Sequence, residues 1–229
     1  MCGRFSQSKL GNAIAQIFQL TEVPSLIPRY NIAPTQSVAT ILRTVEQEEK
    51  QLRMLKWGLI PSWATDEKIA VKLINARAET VSIKSAFRSA FRQRRCLVLA
   101  DGFYEWQQHE SNRIKQPFYF RFRDEHPFAL AGLWESWQDV TGKIIESCTI
   151  LTTEANELVR SIHHRMPVIL RPDDYDLWLD PGVKKLDFLQ NLLHPYPIDD
   201  MIVYPVTKAV NKVSNDSISC IERLEQRQE

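Results

Sequence analysis

Residues 95–106, RCLVLADGFYEW, decide how this chain is read. The segment is rich in apolar and aromatic side chains and reads as strand. Three more segments read the same way: PFYFRF at 117–122, FALAGLWE at 128–135 and ESCTILTT at 146–153. Upstream, SVATILRT (37–44) and QLRMLKWGL (51–59) read as paired strands around the acidic turn VEQEEK. IVYPVT at 202–207 adds a last strand. Helices interrupt this run. KLGNAIAQIFQL (9–20) puts Leu10, Ile14, Ile17 and Phe18 on one helical face. AETVSIKSAFRSAFRQ (78–93) also reads as helix, and PDDYDLWL and KKLDFLQNLL as two shorter ones. VPSLIPRYNIAPTQ (23–36), with three prolines, reads as an ordered irregular loop. The expectation is an α+β fold with a mostly antiparallel, barrel-like β core and flanking helices, in one domain over residues 1–229.

Bulk properties narrow the function. The 229 residues carry 44% hydrophobic and 25% charged side chains and a net charge of +1, so an anion-binding surface has to be local. No apolar stretch reaches the ~18 residues that span a bilayer. The first apolar run, AIAQIF, is short and late, which predicts a cytoplasmic protein without a signal peptide. Cys2, Cys96, Cys148 and Cys220 are then expected as reduced thiols. No metal-ligand spacing such as CxxC or HExxH is present, and no cofactor is expected. Without coiled-coil heptads, a monomer is the default.

Cys2 stands out by position. Methionine is commonly removed before a small residue, which would leave Cys2 with a free α-amine and a thiol on adjacent carbons. Their reference pKa values lie near ~7.7–8.0 and ~8.5. An amine attacks an aldehyde to give an imine, and the neighbouring thiol can close on the imine carbon to give a thiazolidine. No internal cysteine can do this, because its nitrogen is locked in an amide. The alternative for "MC" alone is an incidental residue at a frayed terminus.

Other residues suit the same chemistry. LINARAET places Asn75, Arg77 and Glu79 at alternate positions, on one side of an extended segment. Glu105 sits among Phe103, Tyr104 and Trp106, where desolvation should raise its pKa toward a useful acid–base range. The alternative is a carboxylate paired with an arginine at the sheet edge. SIHHRMPVIL places His163, His164 and Arg165 before an apolar strand, and one of the two histidines should face solvent. Lys84, Arg88 and Arg92 form a basic stripe beside Phe87 and Phe91, or simply a solvated helix face. Trp57 and Trp63 flank a proline turn. Core packing is favoured for Trp57, and stacking on bases is the more open reading for Trp63.

Nine motifs together resemble the SOS-response-associated peptidase (SRAP) family: MCGRF, RYNIAPTQ, WGLIPSWA, INARAET, RRCLVLADGFYEW, AGLWE, TILTTEAN, IHHRMPVIL and AVNKVSND. They cover residue 2 to about residue 220. The resemblance implies an abasic-site processing protein that loses Met1 by its own activity. Such a protein binds single-stranded DNA and traps the lesion's aldehyde through Cys2 as a thiazolidine crosslink. By the same resemblance Asn75 holds the amino terminus and the sugar remnant, Glu105 and His163 are acid–base residues, and Arg4, Arg77 and Arg165 grip phosphates. Lys84 stands in for a basic residue that the family often has near Ser85, and Trp63 is single where some relatives carry two tryptophans. The implied partner is single-stranded DNA with abasic sites, with replication-fork components as further candidates and no membrane. Localisation is then cytoplasmic, nucleoid-associated when acting on DNA. The imine has a second fate, β-elimination, which would give lyase activity. Two other readings stay open: a thiol peptidase acting on protein substrates, and a non-covalent single-strand binding module using Trp63 and the arginines.

Overall fold

The computed structural model describes residues 2–9, 11–21, 25–107, 115–183 and 185–225, with the backbone alone for Asn12 and Ala13. In chain order the strands are β1 (Phe5–Gln7), β2 (Arg29–Ile32), β3 (Ser37–Leu42), β4 (Gln51–Trp57), β5 (Asn75–Arg77), β6 (Arg95–Ala100) and β7 (Gly102–Gln107). They continue with β8 (Gln116–Phe122), β9 (Phe128–Gln138), β10 (Ile144–Glu154), β11 (Arg165–Pro167), β12 (Ile169–Leu170) and β13 (Met201–Pro205). The helices are short: α1 (Asn12–Phe18), α2 (Arg88–Gln93), α3 (Glu157–Arg160), α4 (Tyr175–Leu179) and α5 (Leu186–Gln190).

Five strands close on themselves in the order β10-β4-β3-β6-β9 and back to β10. Closure leaves no free edge among these strands. A second sheet runs β13-β8-β7-β1-β2. Pairing is antiparallel except where β10 runs parallel to β4 and β5. The α+β, barrel-like expectation therefore holds.

The segment RCLVLADGFYEW divides between the two sheets. β6 belongs to the barrel, β7 to the second sheet, and Asp101 is the corner. The buried Asp101 carboxylate accepts the Ser6 hydroxyl, the Ser8 hydroxyl at 2.8 Å and the Lys9 amide at 2.6 Å. That network fixes the N-terminal strand against the corner and gives the buried Asp101 charge its partners. Gly102 is required there, because a Cβ would lie 2.1 Å from the Tyr119 ring. The Phe5 ring meets Trp57 edge-on at 5.0 Å and joins the second sheet to the barrel.

Three local expectations change. The proline-rich segment contains β2, which pairs with β1 through Phe5↔Ile32 and Gln7↔Arg29. Its prolines lie outside Arg29–Ile32, so no ladder donor is lost there. The helix expected over 78–93 shrinks to Arg88–Gln93. Residues 79–87 are turns, in keeping with the run of β-branched and serine residues Thr80-Val81-Ser82-Ile83. Lys84 therefore precedes the helix, while Phe87 and Phe91 are buried in the core rather than facing outward beside a basic stripe. Ile14 and Phe18 of α1 are buried as expected, and Leu10 lies outside the described residues.

Candidate active site

β1 runs antiparallel to β7, with Phe5 opposite Phe103 and Ser6 opposite Gly102. The Tyr104 amide donates to the Arg4 carbonyl at 3.0 Å, so the pairing continues toward the amino terminus. Carried further, this register sets Gly3 opposite Glu105 and Cys2 opposite Trp106. β10 supplies the other wall. It pairs with β5 through Ile150↔Asn75 and Thr152↔Arg77, and with β11 through Glu154↔Arg165. Asn75, Arg77 and Arg165 thereby converge near the end of one strand. Asn156 caps α3 by accepting the Val159 amide at 2.9 Å, and the turn that follows presents His163.

Cys2 is fully buried in an apolar cluster with Phe5, Trp57, Cys148 and Met166. Its carbonyl accepts a hydrogen bond from Asn75 Nδ2 at 2.8 Å. Asn75 Oδ1 is buried with no hydrogen-bond partner among the described residues, an acceptor available to a nearby amine. Burial pushes the Cys2 thiol well above its ordinary pKa, and the Glu105 carboxylate adds to the rise. The thiol is therefore protonated at neutral pH. Met1 lies outside the described residues.

Glu105 is only 3% exposed, and burial raises its pKa to about 7. Near neutral pH it is present in both protonation states, which suits a group that both gives and takes protons. His163 Nδ1 lies 4.0 Å from Glu105 Oε1, at ion-pair range and beyond a hydrogen bond. The same nitrogen lies 3.0 Å from both the Arg165 amide and the Arg165 carbonyl, so it accepts from the one when bare and donates to the other when it carries the hydrogen. Partial burial lowers the His163 pKa, so the imidazole is neutral at pH 7. The His164 ring stacks on it at 4.5 Å.

An open cleft of about 590 Å³ is lined by Arg4, Glu105, Trp106, Lys115, His163 and Asn211. Arg4 is tied down at its rim. Nη1 donates to Asn31 Oδ1 at 2.6 Å and to the Val210 carbonyl at 2.7 Å, and the guanidinium lies 5.7 Å from the Trp106 ring centre. Trp106 Nε1 donates to Asn211 Oδ1 at 2.7 Å. Arg165 is committed as well. It pairs in bidentate fashion with Glu79, at 2.6 and 3.0 Å, and donates to the Thr152 carbonyl at 2.6 Å. The Arg165 guanidinium holds the Glu79 carboxyl below its usual range. Arg77 and Lys84 are exposed, and neither they nor Trp63 line the cleft.

The fold thus brings Cys2, Asn75, Glu105, His163 and Arg4 together. Lys115 and Asn211, which carry no sequence-based expectation, line the same cleft. Asn211 lies inside the AVNKVSND motif, whereas Lys115 ends a polar stretch with no local signal. No group of three or more His, Cys, Asp or Glu among the described residues could hold a metal ion. No helix among them is long and apolar enough to cross a membrane.

Trp57 and Trp63 separate cleanly. Trp57 is fully buried and donates to the Ile74 carbonyl at 2.9 Å, while Trp63 is 56% exposed. Trp57→Ala is expected to destabilise the protein by about 3–5 kcal/mol. Trp63→Ala should leave the melting temperature unchanged. Thermal melts on the two variants check both.

Cys2 thus lies just before β1, its carbonyl held by Asn75 and its thiol within reach of the Glu105 charge. The family model for SOS response associated peptidase (SRAP) matches residues 1–213, and the chain belongs to that family. It is 44% identical over 225 residues to the abasic site processing protein YoqW of Bacillus subtilis, covering 97% of this chain and 99% of that one. It is 42% identical over 228 residues to the abasic site processing protein YoaM of the same organism, covering 97% and 98%. A crystal structure of a protein from Bacteroides thetaiotaomicron superposes with a TM-score of 0.84 at 28% identity, covering 98% of this chain and 100% of that one.

Proposed function

We propose that this protein captures abasic sites in single-stranded DNA through a thiazolidine formed by Cys2 after Met1 is removed, within a single SRAP domain. The observation that carries the reading is Cys2 itself. Its carbonyl is fixed by Asn75 and its thiol is buried beside a carboxyl whose pKa is about 7. The names of the relatives, abasic site processing proteins, agree with it.

The Cys2 amine adds to the aldehyde of the ring-opened sugar, and one water leaves as the imine forms. Protonated Glu105 or the His163 N–H gives a proton to the departing oxygen, and the conjugate base takes one from the amine. The thiol then adds across the C=N bond, sulfur to carbon and its hydrogen to nitrogen. Because the S–H hydrogen is kept in the product, a thiol of raised pKa is compatible with closure. Closure from the adjacent carbon is intramolecular and outruns β-elimination, so the strand is shielded rather than cut. Removal of Met1 is a peptide cleavage at the same residues, and we assign it to the same site.

The test mixes purified protein of known intact mass with a single-stranded oligonucleotide carrying one abasic site, beside an undamaged control. The expected result is a protein lacking Met1 and a band that survives boiling in denaturant only with the lesion. Processed protein that forms no such band would overturn the proposal. Cleavage of an unrelated peptide in trans would favour a protein-directed peptidase instead.

The Glu79–Arg165 pair bears on binding. A phosphate reaching Arg165 has to displace the Glu79 carboxylate, which is 47% exposed. Such a half-exposed pair is worth roughly 0.2–1 kcal/mol. Glu79→Gln should therefore tighten binding to undamaged single strands by up to about five-fold at low salt. Weaker binding by fluorescence anisotropy would show that Glu79 orients Arg165 rather than competes for it.

A further inference from the structure

We infer that Lys115 is a phosphate-binding residue of the lesion cleft, supplying the mobile positive charge that the arginines around it do not. The inference rests on the reading of the cleft as an abasic-site pocket. Lys115 lines the same cleft as Glu105 and His163, at the start of the segment that becomes β8. The other strong base lining it among the described residues, Arg4, is anchored through Nη1 to Asn31 and Val210 and lies against Trp106. Asn31, which holds Arg4, is itself fully buried and donates to the carbonyls of Val210, Lys212 and Asn215, so the Arg4 anchor is rigid. Arg165, nearby, is occupied by Glu79. Lys115 makes no ion pair or hydrogen bond with the described residues and is exposed.

The substrate's geometry calls for such a group. The sugar whose aldehyde meets Cys2, Glu105 and His163 carries phosphates on both sides, and these are the nearest negative charges to the reacting carbon. A lysine on a flexible four-carbon stem can follow a phosphate as the sugar opens, which an arginine fixed in several hydrogen bonds cannot. Burial raises the pKa of Glu105 and lowers that of His163, and the Lys115 charge acts on both, lowering each. Its position is therefore within electrostatic reach of the chemistry as well as of the backbone.

The test compares wild type, Lys115→Gln and Lys115→Arg on an undamaged oligothymidylate and on the same strand with one abasic site. Binding to the undamaged strand is measured across a salt series, and crosslinking across a pH series. Lys115→Gln is expected to weaken binding about three- to ten-fold at low salt. It should also reduce the slope of log K against log salt by about 0.7, the loss of one phosphate contact to a single strand. Its crosslinking profile should move to higher pH, and Lys115→Arg should restore affinity and slope. A Lys115→Gln protein with wild-type affinity and salt slope overturns the inference while wild-type crosslinking leaves the functional reading standing. A wild type that crosslinks nothing overturns that reading, and this inference with it.

Discussion

Cys2→Ala is expected to abolish the boil-stable adduct with abasic DNA while leaving the fold and the amine in place. The variant is compared after intact mass shows that Met1 is gone, with a methionine aminopeptidase supplied where the protein does not remove it itself, since alanine is small enough for that enzyme. The alanine amine still forms an imine, which borohydride should trap and which can proceed to β-elimination. What is lost is the second nucleophile. Well-placed intramolecular partners carry effective molarities of roughly 10⁵ M or more, so no stable product should be visible on a gel without reductant. The cavity left by one sulfur in the cluster of Phe5, Trp57 and Met166 is small, and a melting curve separates that effect from the chemistry. A heat-stable adduct from Cys2→Ala would show that the thiazolidine assignment is wrong.

Glu105→Gln is expected to slow crosslinking by about 10²–10⁴-fold, the usual reach of a positioned acid–base group. The wild-type rate should change with pH around 7, where Glu105 titrates, and the glutamine variant should lose that inflection. Stability should move the opposite way, and the sign follows from linkage. The folded protein holds the Glu105 proton up to pH about 7, whereas the unfolded chain releases it near its ordinary value of 4.5. Between those values the native state binds the extra proton, so wild-type stability falls as pH rises, by about 3 kcal/mol in total. Glutamine carries no such penalty. Denaturant titrations should find Glu105→Gln more stable than wild type at pH 8 and close to it at pH 4.5. Equal pH dependence in both proteins would remove Glu105 from the acid–base role.

How much of this was legible in the sequence depends on the range of the interaction involved. The chemistry of Cys2 follows from its position, because only an amino-terminal cysteine has both nucleophiles free. The raised pKa of Glu105 follows from its apolar neighbours in GFYEW, which fix a buried strand. Most strands were legible for the same local reason. A barrel-like core was expected, but not which strands close it, because closure depends on β10 meeting both β4 and β9, and pairings across that distance leave no trace in local periodicity. β2 hid among prolines that punctuate the segment without interrupting its ladder. The helix at 78–93 was overread, since the regular spacing of Lys84, Arg88 and Arg92 spans a stretch whose Val81 and Phe87 are drawn into the core. The Glu79–Arg165 pair joins residues 86 apart, and Lys115 is one polar residue among several, so neither role could be read before the chain was folded.

The most direct measurement is the mass of the linkage. Crosslinked protein would be digested with nuclease and trypsin, with and without prior borohydride, and the modified peptide sequenced by mass spectrometry. The account predicts Cys2-Gly3-Arg4 carrying the sugar remnant with the loss of one water, at the same mass in both samples, because a closed ring offers borohydride no C=N bond to reduce. A remnant on a lysine or an internal cysteine would contradict it. So would an adduct that gains two hydrogens on reduction, since that product is an open imine rather than the thiazolidine.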